Sequence, residues 1–174
     1  MLLHVCCASC AAYPIKLLEP DFDITMFFYN PNIHPRKEYI KRLESVKKLS
    51  DISGIVFIES DYDIVLWSSR VKGTENEPEG GKRCRFCFDM RLKKTASTAK
   101  EKHMDIFATT MSISPHKNSK VINVAASTIS EAMGVQYYTS DLKKKDGFKK
   151  TNELSRTYGL YHQDYCGCNY SIRK

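Results

Sequence analysis

The chain has 174 residues, of which 42% are apolar, enough to form the core of one domain without disulfide staples. Lys and Arg number 27 against 20 Asp and Glu, a formal net charge of +7, which favours an anionic partner such as nucleic acid but also fits a merely basic soluble protein. The sequence shows no basic leader, and its apolar runs fall far short of the roughly 20 residues that a membrane helix needs. We therefore expect a cytoplasmic protein with no membrane contact.

Short runs rich in β-branched and aromatic residues alternate with amphipathic stretches along the chain. In chain order the pattern predicts a strand at 2–6, a helix at 10–19, a strand at 24–29, a helix at 35–53, a strand at 55–59, a short helix at 63–71, a loop at 72–82, a helix at 84–100, a strand at 105–111, a helix at 119–133, a strand at 135–139, a helix at 148–158 and a cysteine-bearing tail at 159–174. Pro14 is expected in the first turn of its helix, where a missing N–H is tolerated.

Strands that alternate with helices predict a single α/β domain over 1–174, a Rossmann-like parallel sheet flanked by helices. Open sheets of this kind carry their sites at the carboxyl ends of the strands. Cys6 and Cys7 end the first predicted strand, and the polar segment 112–117 follows the fourth. We expect both segments at the same edge of the sheet, with the tail folded over the site between them.

Seven cysteines form three tight clusters with the patterns CCxxC, CxxC and CxC: Cys6, Cys7, Cys10, Cys84, Cys87, Cys166 and Cys168. Structural disulfides fit poorly with a cytoplasmic protein. A structural zinc site needs four ligands and leaves three thiols over, and a thiol–disulfide relay could use the CxxC alone. An iron–sulfur site, which takes several thiolates from separate segments, is the interpretation we favour. Cys10 and Cys84 are both predicted to begin helices, whose free N–H groups stabilise negative charge.

Several other residues could take part in chemistry. Asp89 could bind a metal or move a proton, although a carboxylate near a helix N-terminus is also favoured by the helix dipole alone. Arg91, one turn after Cys87, could bind phosphate or pair with an acid. His116 and Lys117 lie in a polar loop that suits phosphate contact or proton delivery, while turn and capping chemistry explains the same residues equally well.

The densest basic run lies near several aromatic residues, a combination that suits a nucleic-acid backbone with unstacked bases. Its lysines are Lys143, Lys144, Lys145, Lys149 and Lys150. A solvated loop is the alternative. The chain contains neither the glycine-rich phosphate loop of NTPases nor a dinucleotide fingerprint, so a flavin or nicotinamide has no support in the sequence.

Taken together, these motifs resemble the QueH family of cobalamin-independent epoxyqueuosine reductases. The matching segments run in family order over nearly the whole chain: HVCCASC at 4–10, NPNIHP at 30–35 with Glu38, Tyr39 and Arg42, RCRFCFDMRL at 83–92, 109–117, 140–145 and QDYCGC at 163–168. The sequence departs from the family pattern at Ser9, where proline is expected, and at His162, where arginine is common. Neither departure affects a cysteine.

The resemblance implies a fold related to the adenine-nucleotide α-hydrolases and PP-loop enzymes, with the CCASC turn in the place of an ATP-binding loop, which argues against ATP hydrolysis. It implies the last step of queuosine synthesis, in which epoxyqueuosine at the wobble position of tRNAs with GUN anticodons loses its epoxide oxygen as water. It also implies a 4Fe-4S cluster, a further iron near it and an external electron donor.

The sequence thus predicts a tRNA-modifying reductase in which the seven cysteines form the metal site. Asp89 joins them as a candidate ligand, and Asp89, His116 and Lys117 are the candidate proton donors. Arg91 and the five lysines of the basic run are the predicted tRNA contacts. Two other functions use the same residues: a zinc-stabilised RNA-binding domain without redox chemistry, and a thiol oxidoreductase whose activity would survive metal removal.

Overall fold

A five-stranded parallel sheet forms the centre of the molecule, in a computed structural model that describes residues 1–172. Its strands are β1 (Leu2–His4), β2 (Thr25–Phe28), β3 (Phe57–Glu59), β4 (Ile106–Thr109) and β5 (Gln136–Tyr137), in the spatial order β3-β2-β1-β4-β5. Each neighbouring pair runs parallel. The predicted α/β fold with a parallel sheet is confirmed.

Six helices connect and flank these strands. They are α1 (Ala8–Leu18), α2 (Arg36–Ser53), α3 (Ile64–Val71), α4 (Lys82–Glu101), α5 (Ser119–Met133) and α6 (Gly147–Thr157). Short 3₁₀ turns follow β4 at Thr110–Ile113 and occur in the tail at Asn169–Ser171. No helix in the described part of the chain is long and apolar enough to cross a membrane.

The strands are buried on both faces, as expected for a sheet covered by helices on each side. Because successive side chains point to opposite faces, Leu3 and Phe28 pack into a core with α1 and α2, whereas Leu2 and Phe27 pack into a second core with α4 and α5. Helix α6 packs closely along α1. The two cores fix the central strands, and thereby the loops that leave their carboxyl ends.

The strand β4 ends two residues earlier than predicted. The Thr109 hydroxyl accepts a hydrogen bond from the Met111 N–H at 3.2 Å, and this cap turns the chain into the 3₁₀ segment. Thr109 is paired in register with His4 of β1. The segments that follow β1 and β4 therefore leave the sheet side by side, and the prediction that they share an edge is confirmed.

Helix α1 begins at Ala8 rather than at Cys10, so Pro14 lies in its second turn and the prediction of a first-turn proline is wrong. The helix accommodates it through a threonine of α6. The Thr151 hydroxyl donates to the Ser9 carbonyl at 2.7 Å and accepts the Tyr13 N–H at 3.2 Å. It thus replaces the direct bond between these two groups, one step before the bond that Pro14 cannot make.

Candidate metal centre

Three thiols converge where β1 meets α1. Cys7 takes the N-cap position of α1 with extended backbone, and Cys10 lies in the first turn. The sulfurs of Cys6, Cys7 and Cys10 all lie within 4.8 Å of one another, and those of Cys6 and Cys7 are 3.7 Å apart. Although the helix starts two residues earlier than predicted, the unpaired N–H groups of its first turn still face this thiol triad, where they favour negative charge.

Polar side chains from distant segments surround the thiol triad. The Gln163 Nε2 group donates to Cys7 Sγ at 2.9 Å and lies 3.7 Å from Cys10 Sγ. The Ser9 hydroxyl lies 3.6 Å from Cys7 Sγ and donates to Gln163 Oε1 at 3.1 Å. The hydroxyl of Thr110 lies 3.9 Å from Cys6 Sγ. Sequence reasoning assigned none of these residues a role, and the spacing of Gln163, three residues before Cys166, was the available signal.

The triad divides its protons unequally. The neighbouring Cys10 and Cys7 thiols lower the pKa of Cys6 well below its usual range. Burial raises the pKa of Cys7 to about 12, and the two neighbouring sulfurs raise that of Cys10. The metal-free triad therefore carries one thiolate at Cys6, held by two thiols, and a metal would displace the remaining protons.

The other four cysteines lie nearby and form a looser group. Cys87 and Cys168 are buried together against Trp67 and Val71. Cys84, in the first turn of α4, accepts a hydrogen bond from the Gly80 N–H at 3.2 Å. Burial raises the pKa of Cys87 to about 11. All seven thiols are free of disulfides, and within residues 1–172 the compact set of potential metal ligands is the triad.

A cleft of about 190 Å³ opens onto the thiols. Its wall includes the whole triad and Cys166, so it joins the two groups of thiols. His116, Phe148 and Asp164 stand exposed or nearly so at its edge. The cleft is therefore the place at which a small reactive group could meet the sulfurs.

Lys117 lies inside this cleft, as the predicted position in the loop after β4 suggested. Burial lowers the pKa of its ammonium, but the nearby charges of Cys166, Cys6 and Cys10 outweigh burial and raise it above the ordinary value. The side chain therefore remains a cation beside the thiols. His116, its neighbour, is exposed at the opening.

Asp89 is not among the thiols. Its carboxylate lies 3.0 Å from Lys93 Nζ and 3.6 Å from Arg70 Nη2, and its side chain is partly exposed. The CxxC helix turns this position away from the cleft, since Cys87 and Asp89 are two residues apart and face different sides of α4. The structure thus favours the helix-surface role for Asp89 over the predicted metal or proton role.

Arg91 also differs from its prediction as a tRNA contact. Its side chain is only 1% exposed, so no surface ligand can reach it, because its position one turn after Cys87 faces the interior of the protein. Within the basic run, Lys144, Lys145 and Lys149 are exposed, whereas Lys143 is half-buried and donates to the Lys117 carbonyl at 2.7 Å. The run thus borders the loop that carries Lys117.

A buried arginine fastens the tail beside the cleft. Arg42 of α2 donates to the carbonyls of Tyr165 and Cys166 at 3.0 and 3.1 Å and pairs with Glu38 at 2.7 Å. The Tyr161 hydroxyl donates to the other oxygen of Glu38 at 2.8 Å. These contacts hold the segment that brings Gln163 and Cys166 to the thiols.

Comparison with known proteins agrees with this arrangement. The family model described as epoxyqueuosine reductase QueH matches residues 1–174. Relatives of that name are 42% identical in Streptococcus pyogenes serotype M1, over 99% of this chain and 70% of the relative, and 41% identical in Acinetobacter baylyi, over 99% and 80%. The relative of that name in Thermotoga maritima is 36% identical, over 99% of this chain and 90% of its own.

A solved structure shares the fold at low sequence similarity. It is described as a predicted subunit of tRNA methyltransferase from Methanocaldococcus jannaschii, with a TM-score of 0.59 and 15% identity over 90% of this chain and 76% of its own. At this identity the likeness concerns the fold alone. With the family match over the full sequence and the relatives above, the chain belongs to the epoxyqueuosine reductase QueH family, a family of oxidoreductases.

Proposed function

We propose that this chain is an iron–sulfur epoxyqueuosine reductase that acts in the cytoplasm on the wobble nucleoside of tRNAs with GUN anticodons. The observation that carries the proposal is the thiol triad, Cys6, Cys7 and Cys10, opening with Cys166 onto one cleft that also holds the Lys117 cation. The reaction would convert epoxyqueuosine to queuosine, the last step of that biosynthesis.

The residues of the site fit a 4Fe-4S cluster with a further iron beside it. The donors are all thiols, the soft ligands that iron–sulfur clusters take, and the seven cysteines would hold both groups. Two sulfurs already accept N–H hydrogen bonds, Cys7 from Gln163 and Cys84 from Gly80, which is the environment that tunes such clusters. When bound, the cluster would supply electrons one at a time from an external donor.

Removal of the epoxide oxygen as water consumes two electrons and two protons, and the chain must provide the protons. Lys117 keeps a proton at Nζ inside the cleft, since the thiolate charges raise its pKa. Its ammonium would hydrogen-bond the epoxide oxygen and donate a proton as the carbon–oxygen bond breaks. His116, exposed at the opening, would return a proton from solvent to the site.

The surface around the cleft suits an anticodon loop. The exposed lysines of the basic run, Lys144, Lys145 and Lys149, would contact phosphates. A wobble base turned out of its stack would enter the cleft. We propose further that the chain forms one domain, whose tail from residue 159 closes the cleft over the bound metal through the Arg42 contacts.

The first test is the iron, zinc and acid-labile sulfide content of anaerobically purified protein, with EPR after dithionite reduction and turnover of epoxyqueuosine-containing tRNA. We expect iron with matching sulfide, a reduced-cluster signal and queuosine as product. The Lys117→Met variant should keep the iron but turn over more slowly, and Lys120→Met, an exposed neighbour, serves as its control. Stoichiometric zinc without sulfide would refute the redox assignment and leave a zinc-stabilised RNA-binding protein.

A further inference from the structure

The guanidinium of Arg91 is a buried cation without an acidic partner. Its side chain is 1% exposed, and it forms no ion pair with any Asp or Glu of the described chain. Its Nη2 group has no hydrogen-bond partner within residues 1–172. Arginine cannot lose its proton in a protein, so this charge is permanent.

The other two nitrogens fix where the guanidinium lies. Nε donates to the Cys87 carbonyl at 3.3 Å, and Nη1 donates to Asn30 Oδ1 at 3.3 Å. The orientation of Asn30 is itself set, because its Nδ2 donates to the Val5 carbonyl at 2.9 Å. Val5 directly precedes Cys6, so Arg91 connects the backbone of the CCxxC turn with that of the CxxC helix.

A buried guanidinium that pairs only with neutral oxygens is unfavourable unless an anion lies nearby. Its nearest negative groups are the cysteine sulfurs, with Cys87, Cys166, Cys6 and Cys84 interacting most strongly with its charge. These sulfurs belong to both groups of thiols. The free Nη2 group, the burial and the absence of an acid within the described residues therefore indicate a site arranged for an anionic metal–thiolate centre.

We propose that Arg91 is a positioning residue that supplies the buried counter-charge of the cluster and raises its reduction potential. The inference rests on the iron–sulfur site of the proposed function. One-electron reduction by an external donor adds negative charge to the cluster, and a fixed positive charge nearby favours the reduced form. A buried charge acts strongly because solvent does not screen it.

The test is an EPR-monitored redox titration, with iron and sulfide content, of the wild-type protein, Arg91→Gln and Arg91→Lys. For Arg91→Gln we expect at least a tenfold lower equilibrium constant for reduction, which corresponds to a potential about 59 mV more negative. Arg91→Lys keeps the charge and should remain close to the wild type. Arg85→Gln removes an equal but exposed charge from the same helix, and its potential should be nearly unchanged.

Should Arg91→Gln fail to fold, Asn30→Asp gives the test. It places a carboxylate next to the intact guanidinium and neutralises it, so a lowered potential supports the proposal. An unchanged potential in Arg91→Gln or Asn30→Asp protein that holds its full iron overturns it, as does an equal shift in Arg91→Lys and Arg91→Gln. Wild-type protein without iron and sulfide would instead refute the proposed function, a different outcome.

Discussion

Replacing Arg42 by methionine should detach the tail from the thiol site. Arg42→Met keeps an apolar stem of similar length but removes the ion pair with Glu38 and the hydrogen bonds to the carbonyls of Tyr165 and Cys166. The Arg42 side chain is 2% exposed and that of Glu38 9%. Water therefore cannot readily replace the lost partners, and the effect should be much larger than for a surface pair.

The expected size follows from these contacts. Breaking a buried ion pair by removing one partner costs about 3–5 kcal/mol, because the other charge stays buried. Glu38 retains the hydrogen bond from Tyr161, so we expect the lower end, about 3 kcal/mol. A loss of this size reduces the equilibrium for tail docking by roughly a hundredfold.

Hydrogen exchange read by mass spectrometry measures the effect locally, and urea unfolding measures it globally. Backbone amides of 160–168 should exchange far faster in Arg42→Met, while those of β1 stay protected, and the protein should lose iron more readily. The matched control is Lys47→Met, which breaks the exposed 3.0 Å pair with Glu44 on the same helix and should cost under about 1 kcal/mol. Equal protection of the tail in both variants, with equal iron, would refute the reasoning.

Three further predictions follow from the site. Asp89→Asn should leave iron content and turnover close to the wild type, because that carboxylate pairs with surface cations; a loss of iron would restore it as a ligand. Alanine at three exposed lysines should weaken tRNA binding for every sequence and flatten its salt dependence, with about 0.7–0.9 lost from the slope per phosphate contact; a filter-binding titration with an unchanged slope would exclude them: Lys144, Lys145 and Lys149. In metal-free reduced protein, burial raises the pKa of Cys87 from 9.0 to about 11, so between these pH values the unfolded state has lost the thiol proton that the native state keeps. The free energy of unfolding should therefore fall by about 3 kcal/mol as pH rises through this window, and urea titrations of Cys87→Ala should show a smaller fall.

The elements that carry the fold were predictable because local signals and burial agree there. Residues 39, 43, 46 and 49 were placed on one face of α2, and all four side chains are buried. The edge of the sheet that carries the site followed from the parallel order of the strands. Helix starts were less predictable: α4 begins at Lys82 because Glu77 Oε2 accepts its N–H at 2.9 Å, a contact that depends on how the preceding loop folds.

The polar contacts around the thiols could not be derived from local pattern. Arg42 and Arg91 both occur in basic helical stretches, where a solvated face is the ordinary expectation, and yet they are 2% and 1% exposed. Their burial depends on groups that are distant in sequence, the carbonyls of Tyr165 and Cys166 for one and Asn30 for the other. The same distance effect explains why Asp89, adjacent to the CxxC motif, was linked to the metal site although it faces Lys93.

The hydrophobic core and the metal site are held by different forces, and this separation explains how the site can close. The sheet and its flanking helices are fixed by two extensive apolar cores. After Leu160, which still belongs to the first core, the tail is held mainly by polar contacts such as that of the Gly167 carbonyl with the His34 N–H at 2.7 Å. Bonds from a metal centre to Cys166 and Cys168 would add the free energy that these contacts lack, because binding and local folding are coupled when ligands come from a weakly held segment. Loss of the metal should consequently loosen the tail while the sheet stays intact, so that a substrate as large as tRNA would meet a closed cleft only on the loaded enzyme.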